Sequence, residues 1–221
     1  ENWSLADSDL LQLLVQSGLE KINIGFESGN DRGLRILNKR ATMEDNRRVL
    51  DLMQRFPEVY VTFGFIMLHP YSQKQDLADN AAFLHSSGIG QVIRHYCWQL
   101  EVYPGTAMEH NLKRDHLLKK EYSYEDGMYK YLFCNQEMDR YAKRFSSLLT
   151  LKSVWDYEIF DILIHTFITR LLRRYGSEPF AEEIRCFSNY VQESRRKTAD
   201  FNYSFFLQLL ETGDSYDLNS E

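Results

Sequence analysis

Cysteine is sparse in this chain of 221 residues: only Cys97, Cys134 and Cys186 are present, far apart from one another. They offer neither a disulfide framework nor zinc-ligand spacing, and such usage fits a reducing cytoplasm. No apolar run approaches the roughly twenty residues that a membrane-spanning helix needs, and no secretory leader is recognisable. A P-loop, a Gly-x-Gly-x-x-Gly dinucleotide fingerprint and a Gly-x-Ser-x-Gly elbow are all missing, which removes the simplest NTPase, dehydrogenase and serine-hydrolase readings. His110 and His116 lack a third ligand at convincing spacing, so no metal-binding residue is assigned. The formal net charge of −6 argues against a nucleic-acid partner.

What remains is a globular composition, 43% hydrophobic and 26% charged. The chain starts at Glu1 rather than Met, almost inside a helical pattern, and is expected to be a fragment of a longer protein. Its first half alternates helices and strands. A helix is expected over Leu5 to Ser17, with Leu10, Leu11, Leu14 and Val15 buried, Ser4 or Asp7 as its cap and Gly18 as its stop. A strand follows from Lys21 to Phe26. Thr42 opens a second long helix with Asp45 in a capping box, and Pro57 stops it. Val59 to Leu68 is a near-continuous apolar run, as in a parallel strand buried on both faces. Ser72 and Gln75 read as the capping box of a helix carrying Leu77, Ala81 and Leu84, which Gly88 ends. Gln91 to Val102 reads as a third strand that runs into Tyr103-Pro104-Gly105-Thr106. Strands separated by helices of this length imply parallel pairing with right-handed crossovers. Three strands would leave an open edge, so a homo-oligomer through that edge stays open.

Beyond Asp115 no strand is expected. Helices are predicted over Gln136 to Trp155, Tyr157 to Tyr175, Phe180 to Ser194 and Phe201 to Leu210, with Gly176 as a stop, Pro179 in a first turn and a frayed tail after Thr212. Residues 1–114 thus read as an α/β unit and 115–221 as an all-helical region. The groups Arg170, Arg173, Arg174 and Arg195, Arg196, Lys197 read as solvated helix ends, with a phosphate contact as the sharper alternative.

The stretch Lys21 to Lys39, KINIGFESGNDRGLRILNK, organises the chain. A buried strand ends at Gly25, Glu27, Ser28 and Gly29, and a short helix begins at a cap on Asn30 or Asp31. Glu27 therefore stands where parallel sheets bind ligands. The plainer reading makes Glu27 a helix N-terminal contact or an ion-pair partner of Lys39. His69, just past the second strand, is expected to face solvent. His95 and Cys97 are expected on one side of the third strand as a half-buried pair. No catalytic residue is assigned.

These residues carry a family resemblance. IGFESG (Ile24 to Gly29) followed by LNK (Leu37 to Lys39) resembles the fourth strand and helix of radical S-adenosylmethionine enzymes, in the branch often joined to a cobalamin-binding domain. FGFIMLHP (Phe63 to Pro70) resembles that branch's fifth strand, and VYPGT (Val102 to Thr106) the segment after its sixth; together they span roughly Leu5 to Asn111. The resemblance implies half of a partial (β/α)6 TIM-like barrel of three parallel strands, followed by a helical extension. It also implies S-adenosylmethionine as cofactor, with Glu27, Ser28 and Lys39 contacting it and Gly64 approaching it closely. The family's Cys-x3-Cys-x2-Cys loop, which binds a [4Fe–4S] cluster, has no match in this sequence. The cluster is therefore expected only through a missing N-terminal half of the same protein, and any cobalamin through a domain upstream. Leu68-His69-Pro70-Tyr71-Ser72 departs from the family's usual Gly-Leu-Pro-Gly-Glu. Two classes follow: a fragment of an iron–sulfur enzyme that cleaves S-adenosylmethionine and acts on an unknown substrate, or a non-catalytic half-barrel serving as a binding or scaffold module.

Overall fold

The computed structural model describes residues 8–123, 125, 127–175 and 180–212. Leu5, Ser4 and Asp7 at the start of the first expected helix, Gly176, Pro179 and the tail beyond Thr212 lie outside the described residues. In chain order the elements are α1 (Ser8–Gln16), β1 (Lys21–Glu27), α2 (Asp31–Ile36), α3 (Met43–Met53), β2 (Tyr60–Phe65), α4 (Lys74–Ser86), a 3-10 turn (Ile93–Tyr96), α5 (Ala107–Arg114), β3 (Leu118–Ser123), β4 (Met128–Tyr131), α6 (Glu137–Leu149), α7 (Lys152–Tyr175) and α8 (Ala181–Glu211).

β1 and β2 pair in parallel, from Lys21 against Tyr60 to Gly25 against Gly64, and the register slips between Gly25 and Glu27. The parallel pairing follows from the α2–α3 crossover, but the third strand does not form as expected. Ile93–Tyr96 is a 3-10 turn. The His95 ring lies there with Nε2 3.1 Å from the Phe63 carbonyl oxygen, an acceptor that a neighbouring strand would have used. Ladder contact resumes only beyond the end of β2, where Met67 N and Leu100 N donate to Trp98 O at 2.9 Å and Leu68 O at 2.8 Å. The parallel sheet has two strands rather than three, joined to the later segment by one parallel bridge, Leu68 to Gln99.

The region beyond Asp115 is not purely helical either. β3 and β4 form an antiparallel hairpin, and Tyr129 N donates to Val102 O at 2.8 Å. Leu118, Tyr122, Met128 and Tyr129 suit a strand, but a short, turn-linked pair is weak as a pattern. The single helix expected over Gln136 to Trp155 breaks at Thr150 and Leu151, and Trp155 Nε1 donates to Leu149 O at 2.7 Å across the break. Conversely, the two helices expected over Phe180 to Ser194 and Phe201 to Leu210 are one helix, α8. No proline or glycine interrupts residues 181–211, so the polar stretch Arg195 to Asp200 simply continues the helix.

One apolar core runs from Leu11 through Phe26, Leu77 and Phe145 to Phe206. In α1 only Leu11 is fully buried; Leu10 and Leu14 are exposed, contrary to the expected face. The Thr42–Asp45 capping box is present. That of α4 lies one residue later than the sequence suggests, on Gln73 and Asp76, because the Ser72 hydroxyl accepts from His69 N at 2.9 Å instead. A smaller cluster of Val102, Met108 and Leu112 lies beneath the hairpin. No described helix is long and apolar enough to cross a membrane.

Candidate functional site

The end of β1 builds the site. Gly25 and Gly64 lie side by side in the ladder, so neither strand puts a side chain on that face there. The Glu27 side chain folds back over this bare patch: a Cβ on Gly25 would lie 2.2 Å from Glu27 Oε1 and 3.3 Å from Lys39 Nζ. At Gly64 a Cβ would meet Gly25 Cα at 3.5 Å and Glu27 Oε2 at 3.9 Å, which is ordinary contact. Glu27 itself has φ of +65°, an uncommon conformation for a residue with a side chain and one that clusters at functional turns.

Lys39 reaches the patch from the far end of α2. Asn30 caps that helix by accepting from Gly33 N at 2.7 Å. At its other end Asn38 adopts a left-handed conformation with φ of +55°, and Lys39 N donates to Leu34 O at 2.8 Å, which turns the chain back over the strand. Lys39 Nζ then stands 3.4 Å from Glu27 Oε1, the ion pair of the plainer reading. Both side chains keep some exposure, so the pair contributes only about 1 kcal/mol or less and can open toward a ligand.

Of the four residues assigned to a cofactor, the structure brings Glu27, Lys39 and Gly64 together. Ser28 is turned the other way, into the core. Its hydroxyl donates to Asn80 Oδ1 at 3.1 Å and accepts from Asn30 N at 3.3 Å. Asn80 went unremarked in the sequence. Its Oδ1 also accepts from Gly29 N at 2.7 Å, and its Nδ2 donates to Met67 O at 3.3 Å. This one buried amide ties the turn after β1 to the exit of β2. The signal was available: Asn80 is a polar residue on the apolar face formed by Leu77, Ala81 and Leu84.

Beside this turn, Arg32 binds the Asp76 carboxylate and donates to Tyr71 O at 3.0 Å. His69 is buried rather than solvent-facing, at 2% exposure, with Nδ1 accepting from Tyr71 N at 3.2 Å. Burial holds its pKa down to about 4, against a partly offsetting pull from Asp76. The imidazole stays neutral because a charged ring would lose its water. His95 and Cys97 do not share a strand face. Burial lowers the pKa of His95 although two carbonyl oxygens favour its charged form, and burial raises that of the Cys97 thiol to about 12. Neither is a nucleophile or a metal ligand in waiting. Among the described residues no group of three or more His, Cys, Asp or Glu side chains could hold a metal ion.

The arginine groups have structural partners. Arg173 and Arg170 face Glu20 at 3.4 and 4.0 Å, and Arg173 also donates to the Leu19 carbonyl before β1. Arg195 pairs with buried Asp161 at 2.9 Å and lies 3.2 Å from His165 Nδ1. A cleft of about 680 Å³ lies between α6 and the 97–101 segment, bordered by Gln99, Lys130 and Ser146; neither Glu27 nor Lys39 lines it.

No protein-family model matches the chain. Among solved structures it resembles the cobalamin-dependent S-adenosylmethionine radical enzyme OxsB. With aqua-cobalamin and S-adenosylmethionine bound to that protein, the identity is 16%, the TM-score 0.55, and the match covers 94% of this chain and 39% of the other. With aqua-cobalamin alone bound, the values are 15%, 0.52, 95% and 40%. The apo form gives 15%, 0.54, 95% and 39%. The chain thus spans about two fifths of those proteins' length, and nearly all of it shares the fold of that part.

Proposed function

We propose that this chain is part of a radical S-adenosylmethionine enzyme of the cobalamin-associated branch. Residues 1–114 would furnish the later portion of a partial (β/α)6 barrel, with 115–221 attached to it. The observation that carries this reading is the bare Gly25–Gly64 patch with Glu27 and Lys39 above it. The patch lies at the carboxyl end of parallel strands, where open sheets and barrels bind ligands. A carboxylate and an ammonium 3.4 Å apart complement a ligand that carries both charges, as the amino-acid end of S-adenosylmethionine does. Neither glycine puts a side chain there, so a ligand would reach the strand backbone once the Glu27 side chain swings off the patch.

In this reading Lys39 binds the ligand carboxylate, Glu27 accepts from its ammonium or hydroxyl groups, and Gly64 leaves room for it. Ser28 contributes through the fold, holding Asn80 rather than the ligand. S-adenosylmethionine, when bound, supplies the carbon–sulfur bond that enzymes of this kind break. Three separate cysteines do not suit a [4Fe–4S] cluster, so cluster and cobalamin sites are assigned to a part of the protein outside this chain, and no step is derived through them.

Amide hydrogen exchange with and without S-adenosylmethionine tests the reading. Slowed exchange confined to Gly25–Gly29 and the 64–68 segment is expected. An unchanged exchange map at saturating ligand would favour the scaffold-module reading instead.

A further inference from the structure

The turn that ends α2 is a closed helix cap. Asn38 N donates to Arg35 O at 3.0 Å and Lys39 N to Leu34 O at 2.8 Å, around Asn38 at φ of +55°. In such a cap the residue after the left-handed one commonly packs an apolar side chain back onto the helix. Here that place holds Lys39. A lysine there can complement the negative end of the helix dipole. The Lys39 ammonium is instead directed across to β1, 3.4 Å from Glu27 Oε1, on a side chain only 18% exposed. The far end of the loop is fixed too: Asp31 Oδ1 accepts at 2.9 Å from the nitrogen of Met43, the first residue of α3. The Asn38 side chain is exposed, so what this position supplies is its backbone conformation, which glycine and asparagine adopt more readily than other residues.

We infer, resting on the S-adenosylmethionine reading of the site, that Asn38 is a positioning residue: its left-handed backbone aims Lys39 at the glycine patch and so sets recognition of the ligand's carboxylate. Both anchors of the loop, the Leu34 carbonyl and the Asp31 carboxylate, lie on α2. A residue at 38 that avoids a positive φ must therefore re-route the chain between them, and the Lys39 ammonium moves with that backbone. Valine is the sharpest case, because branching at Cβ makes the left-handed region a true outlier. Glycine occupies it freely. Glu27 stands on β1 and keeps its place, so the ammonium of the ligand keeps its acceptor. The loss is confined to the carboxylate.

Isothermal titration of the full 221-residue chain with S-adenosylmethionine and with its decarboxylated analogue tests this role. The wild type should bind S-adenosylmethionine about tenfold or more tightly than the analogue, the scale of a hydrogen bond between charged groups. Asn38→Val should lose most of that preference, as Lys39→Met does, while its affinity for the analogue stays at the wild-type value. Asn38→Gly should keep both affinities. Partial unfolding would weaken both ligands alike, so the ratio of the two dissociation constants separates aim from fold. Should Asn38→Val fail to fold, Asn38→Ala takes its place, with a smaller loss of preference expected. A preference retained in Asn38→Val or Asn38→Ala, or lost in Asn38→Gly, would overturn the role of Asn38 and leave the cofactor reading standing. A wild type that binds both ligands equally would overturn the aim of Lys39 at the carboxylate, and one that binds neither would overturn the cofactor reading and this role with it.

Discussion

The side-chain oxygen of Asn80 lies 2.7 Å from the backbone nitrogen of Gly29, and the amide of the same side chain donates to the carbonyl of Met67. One buried residue on α4 therefore bonds the turns that leave both parallel strands. Asn80→Ala would leave Gly29 N and Ser28 Oγ without their acceptor in a dry site. A loss of about 2–4 kcal/mol is expected, from two or more buried groups losing partners. Asn80→Asp keeps the acceptor and loses the donor, so it should fall between Ala and wild type at neutral pH. Urea midpoints of the three proteins check the order.

The glycine pair separates fold from ligand. A methyl at Gly64 would make only ordinary contacts, at 3.5 Å and beyond. Gly64→Ala should leave the melting temperature unchanged or slightly higher, since alanine loses less backbone freedom on folding. It should nonetheless weaken S-adenosylmethionine binding about tenfold or more, by filling the cradle at a cost of roughly 1–3 kcal/mol. At Gly25 the added carbon would displace the Glu27 carboxylate, so Gly25→Ala should disturb both. Thermal melts paired with ligand titration distinguish the two variants.

Acid sensitivity follows from buried histidines: His95, whose pKa burial lowers, and two others. His69 and His165 are both held near a pKa of about 4 by burial, His165 also by the neighbouring Arg195. The unfolded value is 6.5, so the folded pKa is depressed and the unfolded state binds protons first. Stability from these rings is fully present above about pH 6.5 and declines as pH falls toward 4. Each ring should cost about 2 kcal/mol by pH 5. Urea titrations at pH 7 and 5 measure the drop. His165→Phe should remove its share of the pH dependence.

The Arg195–Asp161 pair joins α7 to α8 with Asp161 almost fully buried. Asp161→Ala would take the carboxylate from Arg195, whose side chain is 16% exposed, and should cost about 1–3 kcal/mol. A denaturant midpoint unchanged by this substitution would show that water reaches the guanidinium.

Much of the α/β half was legible because its signals are local. Thr42 and Asp45 cap a helix wherever it packs, and the alternation at Lys21 to Phe26 needs no partner to read. The turn at Glu27 was legible for the same reason. What could not be read was decided by contacts distant in sequence. Whether Gln91 to Val102 forms a strand depends on His95 reaching Phe63 O. Whether His69 is buried depends on what covers the loop after β2. The β3–β4 hairpin escaped notice because strands of six and four residues carry little periodicity. Asn80 was missed although it breaks an apolar face, since a lone polar residue has no meaning until its partners, half a hundred residues away, are known.

The central claim is that Glu27 serves a ligand rather than the fold. Isothermal titration with S-adenosylmethionine of wild type and Glu27→Ala, paired with thermal melts, tests it most directly. The account predicts that the substitution weakens binding by about 1–3 kcal/mol, the scale for losing a charged hydrogen-bond partner, with little change in melting temperature. Unchanged affinity together with a large fall in melting temperature would make Glu27 a structural ion-pair partner of Lys39 and contradict the claim.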